Sequence, residues 1–346
     1  MVGLSDAADF GTIYENKRVL ITGGSGFIGS ALSEFLLKLG AEVVVYDVFN
    51  SFYPGKRKNI EDIESNSKFT LIQGDILNYS NLCCAMKGIN LVFHLAAQPG
   101  VRYSLLNPVE TNSVNTSGTL NVLATALKYR VDRVVNISSS SVYGDQTKLP
   151  MKESGQLSPI SPYGISKLTA EQYCNFYHTT FGLNVVTLRY FTVYGPRQRP
   201  DMAISKFVKK ILEQKTITIY GDGLQTRDFT YITDILNGTV SSGIIEDIEG
   251  QVFNLGSGKS VSIKTLCNIL CSILSDFNIT YDDKKEGDVS HTLADISKAM
   301  KYLHYSPKTT LKEGLLRYID WYKQKCYYKK KLIFLLIPVL LLPVLL

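Results

Sequence analysis

Tyr163 and Lys167 stand four residues apart in PYGISKLTAEQYCNFYHTTFG (162–182), a segment whose pattern predicts a helix. Spacing i, i+4 puts both side chains on one face, so the ammonium lies beside the phenol. A phenol titrating at about 10 is a poor base at neutral pH, and a neighbouring cation makes it a better one. The serine run Ser138–Ser141 closes a predicted strand earlier in the chain and can offer a hydroxyl to the same place. Turn or cap roles for Ser140 and Ser141 are an equal alternative on sequence grounds. Together the three residue types make a phenol, an ammonium and a hydroxyl a candidate catalytic group.

A second constellation sits near the start. Gly23, Gly26 and Gly29 are spaced GxxGxxG, directly after one predicted strand and at the opening of a helix. Glycines there let backbone N–H groups approach a pyrophosphate, and the helix dipole favours its charge. Asp47 ends the next strand, where a carboxylate can take both ribose hydroxyls of an adenosine. The order strand, glycines, helix, strand, acid predicts a dinucleotide site. Asp47 favours NAD over NADP because it repels a 2′-phosphate. The Lys56-Arg57-Lys58 cluster reads as a solvated loop.

The elements that position these residues alternate. Strands are expected at 17–22, 41–47, 68–75, 89–97, 132–144 and 183–191, with helices after the glycines and at 80–87, 107–130 and 162–182. That alternation implies an α/β fold, a doubly wound parallel sheet with right-handed crossovers. Beyond residue 196 the pattern loosens into a smaller mixed α/β domain, and GQVFNLGSG (250–258) reads as a buried strand returning to the main sheet. The expected division is a polar leader at 1–16, a dinucleotide domain at 17–195 plus about 230–257, a substrate domain at 196–229 plus 258–326, and a tail at 327–346.

Composition narrows the class. The chain has 346 residues, 45% hydrophobic and 20% charged, which excludes a disordered or fibrous protein. Its net charge is +6, but Lys323, Lys325, Lys329, Lys330 and Lys331 account for five of it, leaving the body near neutral. A nucleic-acid partner is therefore not expected. Six cysteines include no CxxC pair, so neither a metal site nor a disulfide framework is expected.

Eight segments carry a wider resemblance: TGGSGFIG (22–29), the strand-ending Asp47, GDI (74–76), HLAAQ (94–98), SSSSVYG (138–144), YGISK (163–167), RYFTVYGPRQRPDMA (189–203) and YGDGLQTRDFTYITDI (220–235). Across roughly residues 17–325 the chain resembles the extended short-chain dehydrogenase/reductase family, and within it the nucleotide-sugar 4-epimerases. The resemblance implies a Rossmann-type sheet holding NAD through Gly23, Gly26, Phe27, Ile28, Gly29, Asp47, Asp75, Ile76, Tyr163 and Lys167. It makes Tyr163 the base at the sugar 4-hydroxyl, Lys167 the residue that holds the nicotinamide ribose and depresses the tyrosine, and Ser139 the active-site Ser/Thr. Hydride leaves C4 and returns to its other face, with no net redox change.

The resemblance also assigns substrate contacts to Ser139, Ser140, Thr192, Arg199, Arg227 and Asp288. Ser140 and Ser141 stand where family dehydratases carry Asp-Glu, which disfavours elimination. Thr192 replaces the asparagine usual in galactose-type enzymes, and Arg199 is placed in its motif to meet a C6 carboxylate. Its alternative is to bind a phosphate or an internal acid. UDP-glucuronate is thus the favoured substrate, with UDP-glucose and UDP-N-acetylglucosamine as alternatives. A silent NAD-binding module and a net dehydrogenase are the rival classes. The family implies a homodimer paired through the helices at 107–130 and 162–182.

The N-terminus has neither a basic start nor an apolar run, so no signal peptide is expected. At the other end, residues 332–346 are all apolar or proline. Fifteen helical residues reach about 22 Å, short of a roughly 30 Å hydrocarbon core. With lysines before it, the tail is expected to tether a cytoplasmic body at a membrane face through residues 327–346. Packing on the dimer, or disorder, is the alternative.

Overall fold

The computed structural model describes residues 13–50, 52 and 54–327. The expected membrane contact falls, Tyr327 apart, outside the described residues. Among the described residues no helix is long and apolar enough to cross a membrane.

β1 (Arg18–Thr22) leads through the glycine turn into α1 (Phe27–Lys38) and back to β2 (Glu42–Asp47). Then come α2 (Lys56–Ile60), β3 (Phe69–Gln73), α3 (Tyr79–Ala85), β4 (Leu91–His94), α4 (Val101–Leu106), α5 (Pro108–Asn112), α6 (Gly118–Lys128), β5 (Arg133–Ser139), α7 (Pro162–Phe181) and β6 (Val185–Tyr190). The second half holds β7 (Thr192–Tyr194), α8 (Ala203–Leu212), β8 (Ile217–Tyr220), β9 (Thr226–Arg227), β10 (Phe229–Tyr231), α9 (Ile232–Ile244), β11 (Val252–Leu255), β12 (Val261–Ser262), α10 (Ile263–Leu274), β13 (Ile279–Asp282), α11 (Ser297–Leu303) and α12 (Leu311–Tyr322).

Seven strands form one parallel sheet in the order β11-β6-β5-β4-β1-β2-β3. Helices cover both faces, which is why its strands read as unbroken apolar runs. Val19 and Ile21 pack with Leu32 and Leu36 on one face. Leu20, between them, points the other way to Val92, Val122 and Leu123. The chain runs outward from β1 to β3, then restarts at β4 on the other side of β1. Such a reversal leaves a crevice at the carboxyl ends of β1 and β4, where ligands of open α/β sheets bind. Three two-stranded pairs, β7 with β10, β9 with β12 and β8 with β13, lie outside the main sheet.

The segment expected as one helix at 107–130 is instead α5, a π turn over Ser113–Ser117, and α6. The widened turn is held by tertiary contacts. Asn115, buried within it, accepts the Gln98 N–H at 2.7 Å and donates to Ser166 Oγ on α7 at 2.9 Å. At its end Gly118 abuts Ile76, where a Cβ would come within 2.4 Å of the isoleucine side chain. Helical periodicity is blind to one extra residue in a turn.

Candidate active site

The glycine turn is shaped by backbone contacts. Gly23 has φ +71°, and a Cβ there would meet the Ala96 backbone at 2.8 Å; a Cβ on Gly29 would lie 2.3 Å from the Gly23 carbonyl oxygen. Only glycine allows α1 to start this close to β1 and β4. Gly26 then stands as N-cap with no side chain over the first turn, so that turn's N–H groups open on the crevice. Asp47 is buried at the end of β2, and its carboxylate accepts the N–H groups of Ser25 at 3.1 Å and Phe49 at 2.9 Å. It braces the loop it was expected to complement.

The catalytic side is built on α7. Ser161 caps the helix by accepting the Gly164 N–H at 3.1 Å, with Pro162 in the first turn. A Cβ on Gly164 would sit 2.5 Å from the Ser141 carbonyl oxygen, so the helix start is pressed against the serine turn. That approach puts Tyr163 in hydrogen-bond contact with Ser139. Ser139 Oγ also accepts the Ser141 N–H at 3.2 Å and lies 3.1 Å from Ser141 Oγ, which fixes its rotamer. Ser140 and Ser141 are thus turn residues as well as cavity residues.

Electrostatics separate the two members of the YxxxK pair. Burial pushes the Tyr163 phenol above its ordinary value, while the Arg199 charge and the Ser139 bond pull it down. Arg199 thus brings to the phenol a cation that the YxxxK spacing did not announce. Lys167 is 4% exposed, and burial lowers its ammonium to about 8, with Cys174 and Glu171 holding it up. The ammonium lies one turn deeper, in the floor of the site.

One cavity of about 620 Å³ joins both constellations. Every cofactor-site residue expected from sequence lines it, from Gly23 through Ile76 to Lys167, as do Ser139, Ser140, Thr192 and Arg199. Open N–H groups at one end, a carboxylate beyond them and a buried ammonium at the other end form a donor set that fits a dinucleotide such as NAD. Lys56, read from sequence as a solvated loop residue, also lines the cavity, and burial lowers its ammonium while Asp47 holds it up. Its neighbours Arg57 and Lys58 are exposed.

Arg227 and Asp288 do not line this cavity. They form a second cluster beside it, in which Arg102 Nη2 donates to Asp288 at 2.7 Å and its guanidinium lies 4.6 Å over the Tyr220 ring. Lys285 sits 4.9 Å from the same ring. Arg227 donates to the Thr226 and Ser290 carbonyls at 2.8 and 3.4 Å; burial lowers it, and Asp288 and Asp145 act to raise it. Val101, next to Arg102, lines the main cavity, so the two sites adjoin. Sequence reasoning gave no site role to Arg102, Tyr220 or Lys56, because the elements that carry them, α4, β8 and α2, are too short for their periodicity to show which face they present.

Arg199 reaches the cavity with a carboxylate already on its fork: Nε and Nη2 each donate to Asp201 at 2.9 Å. Its guanidinium also lies 5.6 Å over Phe52. The internal acid that sequence offered as an alternative partner is therefore Asp201. Among the described residues no group of side chains is suited to holding a metal ion.

Residues 20–318 match the GDP-mannose 4,6 dehydratase family. The UDP-glucuronate 4-epimerase of Thermodesulfobacterium geofontis (strain OPF15) is 40% identical over 312 residues, covering 88% of this chain and 96% of that protein. The crystal structure of UDP-glucuronic acid 4-epimerase from Bacillus cereus, in complex with UDP-glucuronic acid and NAD, is 42% identical with a TM-score of 0.86, covering 89% of this chain and 99% of that one. UDP-N-acetylglucosamine 4-epimerase from Methanobrevibacter ruminantium M1, in complex with UDP-N-acetylmuramic acid, is 34% identical with a TM-score of 0.85, covering 90% and 99%.

Proposed function

This chain belongs to the GDP-mannose 4,6 dehydratase family, and on that premise we propose that it is an NAD-dependent UDP-sugar 4-epimerase whose substrate is UDP-glucuronate. The observation that carries the reading is the convergence in one cavity of the Tyr163 phenol, the Ser139 hydroxyl and an arginine already forked onto a carboxylate. When bound, NAD accepts the C4 hydride and returns it.

Tyr163 takes the 4-hydroxyl proton and later gives it back, its oxygen held by Ser139 and its phenolate form favoured by the Arg199 charge. Lys167 anchors the nicotinamide ribose from the cavity floor. Asp47 and the first turn of α1 hold the adenosine ribose and the pyrophosphate. Arg227 takes the substrate diphosphate and Asp288 the uridine ribose, a role that asks Arg102 to share or release the carboxylate. Ser140 and Ser141 offer no carboxyl group for elimination at the neighbouring carbon, which supports epimerisation over dehydration.

Purified enzyme offered UDP-glucuronate, UDP-glucose and UDP-N-acetylglucosamine in parallel tests the proposal. UDP-glucuronate is expected to give its 4-epimer with a kcat/KM at least about tenfold above either rival, a margin set by one arginine–carboxylate contact, and without accumulation of NADH. Preference for UDP-glucose overturns the substrate, and stoichiometric NADH overturns the reaction class. The similarity to the UDP-N-acetylglucosamine enzyme keeps that sugar among the alternatives.

Pairing of two copies through α5, α6 and α7 is the second part of the proposal. Ile165 and Phe176, three turns apart on one face of α7, are half exposed, and Leu106 and Val109 before it are 83% and 78% exposed. Sedimentation at micromolar concentration is expected to give twice the chain mass. A monomer there overturns this part alone.

A further inference from the structure

Glu171 continues the ladder that Tyr163 and Lys167 begin. At i, i+4 and i+8 the three residues share one face of α7, but Glu171 lies at the buried end, 6% exposed. Its carboxylate is fully engaged. Ser138 Oγ donates to Oε1, Arg189 Nε donates to both oxygens at 3.0 and 3.2 Å, and Arg189 Nη2 donates to Oε2 at 2.7 Å. Arg189 itself is 3% exposed and continues the network, with Nη1 donating to the Tyr143 hydroxyl at 2.9 Å. Tyr143 donates in turn to Asn254 Oδ1 at 2.7 Å on β11.

One carboxylate thus ties the helix carrying Tyr163 and Lys167 to the ends of two strands that reach the same cavity. Ser138 precedes Ser139 on β5, and Arg189 on β6 precedes the cavity residues Tyr190, Phe191 and Thr192. We propose that Glu171 is a positioning residue of the reaction: through Ser138 it sets Ser139 against the phenol, and through its charge one turn away it keeps the buried Lys167 ammonium in place. A pair that served packing alone has no need to meet the residue beside Ser139, and an apolar pair of similar volume is often as stable as a buried ion pair.

The groups facing Lys167 are few. Tyr163, Glu171 and Cys174 share its helix; His94 comes from β4, held between Thr22 Oγ1 and Thr119 Oγ1 at 2.7 and 2.9 Å and pushed down by burial to about 3, hence neutral. The Arg189 guanidinium lies on the far side of Glu171, bonded to its carboxylate and to Tyr143. Of the two groups that hold the Lys167 ammonium up, Cys174 and then Glu171, burial raises the Cys174 thiol to about 12 and keeps it uncharged near neutrality, so Glu171 is the one that carries a charge there.

The inference rests on Tyr163 and Lys167 being the reacting pair, and three variants keep the two apart. Glu171→Gln with Arg189→Gln replaces the ion pair by an amide pair, so no unpaired charge is buried; Ser138→Ala removes a single hydrogen bond. In the double variant kcat per folded, NAD-loaded enzyme is expected to fall about tenfold, with KM for the UDP-sugar changed less than about twofold, as for lost alignment without lost binding. Lys167 then loses its proton more readily, so the alkaline limb of the kcat profile moves to lower pH. Ser138→Ala is expected to lower kcat severalfold with an unchanged melting temperature. If kcat and the alkaline limb stay at wild-type values in both, or if kcat falls only in step with the folded fraction, the pair is structural and the inference is overturned. A fully active Tyr163→Phe enzyme removes the underlying reading instead.

Discussion

Replacing Tyr163 by phenylalanine is expected to lower kcat by about 10²–10⁴-fold, the range over which a positioned acid–base group contributes, while the protein keeps its fold. Only one oxygen is removed, and the ring stays in the wall of the cavity beside the serine turn. Ser139 retains its bonds to Ser141, so the turn has no reason to rearrange. Substrate and NAD are held mainly by other groups, hence KM and cofactor content should change little. This pattern, kcat lost with KM kept, marks an interaction made in the transition state. Single-turnover kinetics with NAD content measured on the same sample checks it. A variant with more than about a tenth of wild-type kcat lies outside the range for a general base and would remove Tyr163 from that role.

The second large effect concerns selectivity. Replacing Arg199 by methionine is expected to cut kcat/KM for UDP-glucuronate by about 10²-fold, within the range for removing one partner of a desolvated charge pair. For UDP-glucose, which has no C6 carboxylate, the loss should be smaller by at least about tenfold, the worth of one charge-assisted fork. Asp201 loses its partner, but its side chain is 44% exposed, so solvent can take over and stability should change little. A smaller common loss falls on every substrate, because the Arg199 charge also lowers the Tyr163 phenol. The sign follows directly: without the cation the phenol binds its proton more tightly, and the acid limb of the rate profile moves to higher pH. Arg199→Lys keeps the charge but not the planar fork, so it should restore the acid limb while leaving selectivity impaired. If the ratio of the two sugars is unchanged in Arg199→Met, Arg199 does not meet the C6 carboxylate.

Local chemistry is what short stretches of sequence carry. The glycine turn, Asp47 and the Tyr163/Lys167 pair follow from short spacings, because an i, i+4 interval on a helix, or a glycine between a strand and a helix, fixes geometry within a few ångströms. The sheet's class followed from alternation, since strands covered on both faces must be continuously apolar. The π turn at Ser113–Ser117 was not legible: Asn115 earns its place there by reaching Gln98 and Ser166, which are near only after folding. Glu171 was invisible for the same reason. An acid on a helix usually faces water, and only the partners from Ser138 and Arg189 make this one a buried anchor.

The dependence on register is sharpest at Arg102 and Asp288, whose contact spans 186 positions of sequence. The sequence by itself determined the kinds of group present, the dinucleotide turn and the base with its lysine. The tertiary structure decided which charges meet: that the Arg199 charge reaches the phenol, that Asp201 sits on its fork, and that Lys56 enters the cavity while Arg227 and Asp288 stand apart from it. Charge and hydrogen-bond interactions fall off within a few ångströms, and distances of that size between remote residues are set by strand order and helix packing, not by their separation along the chain.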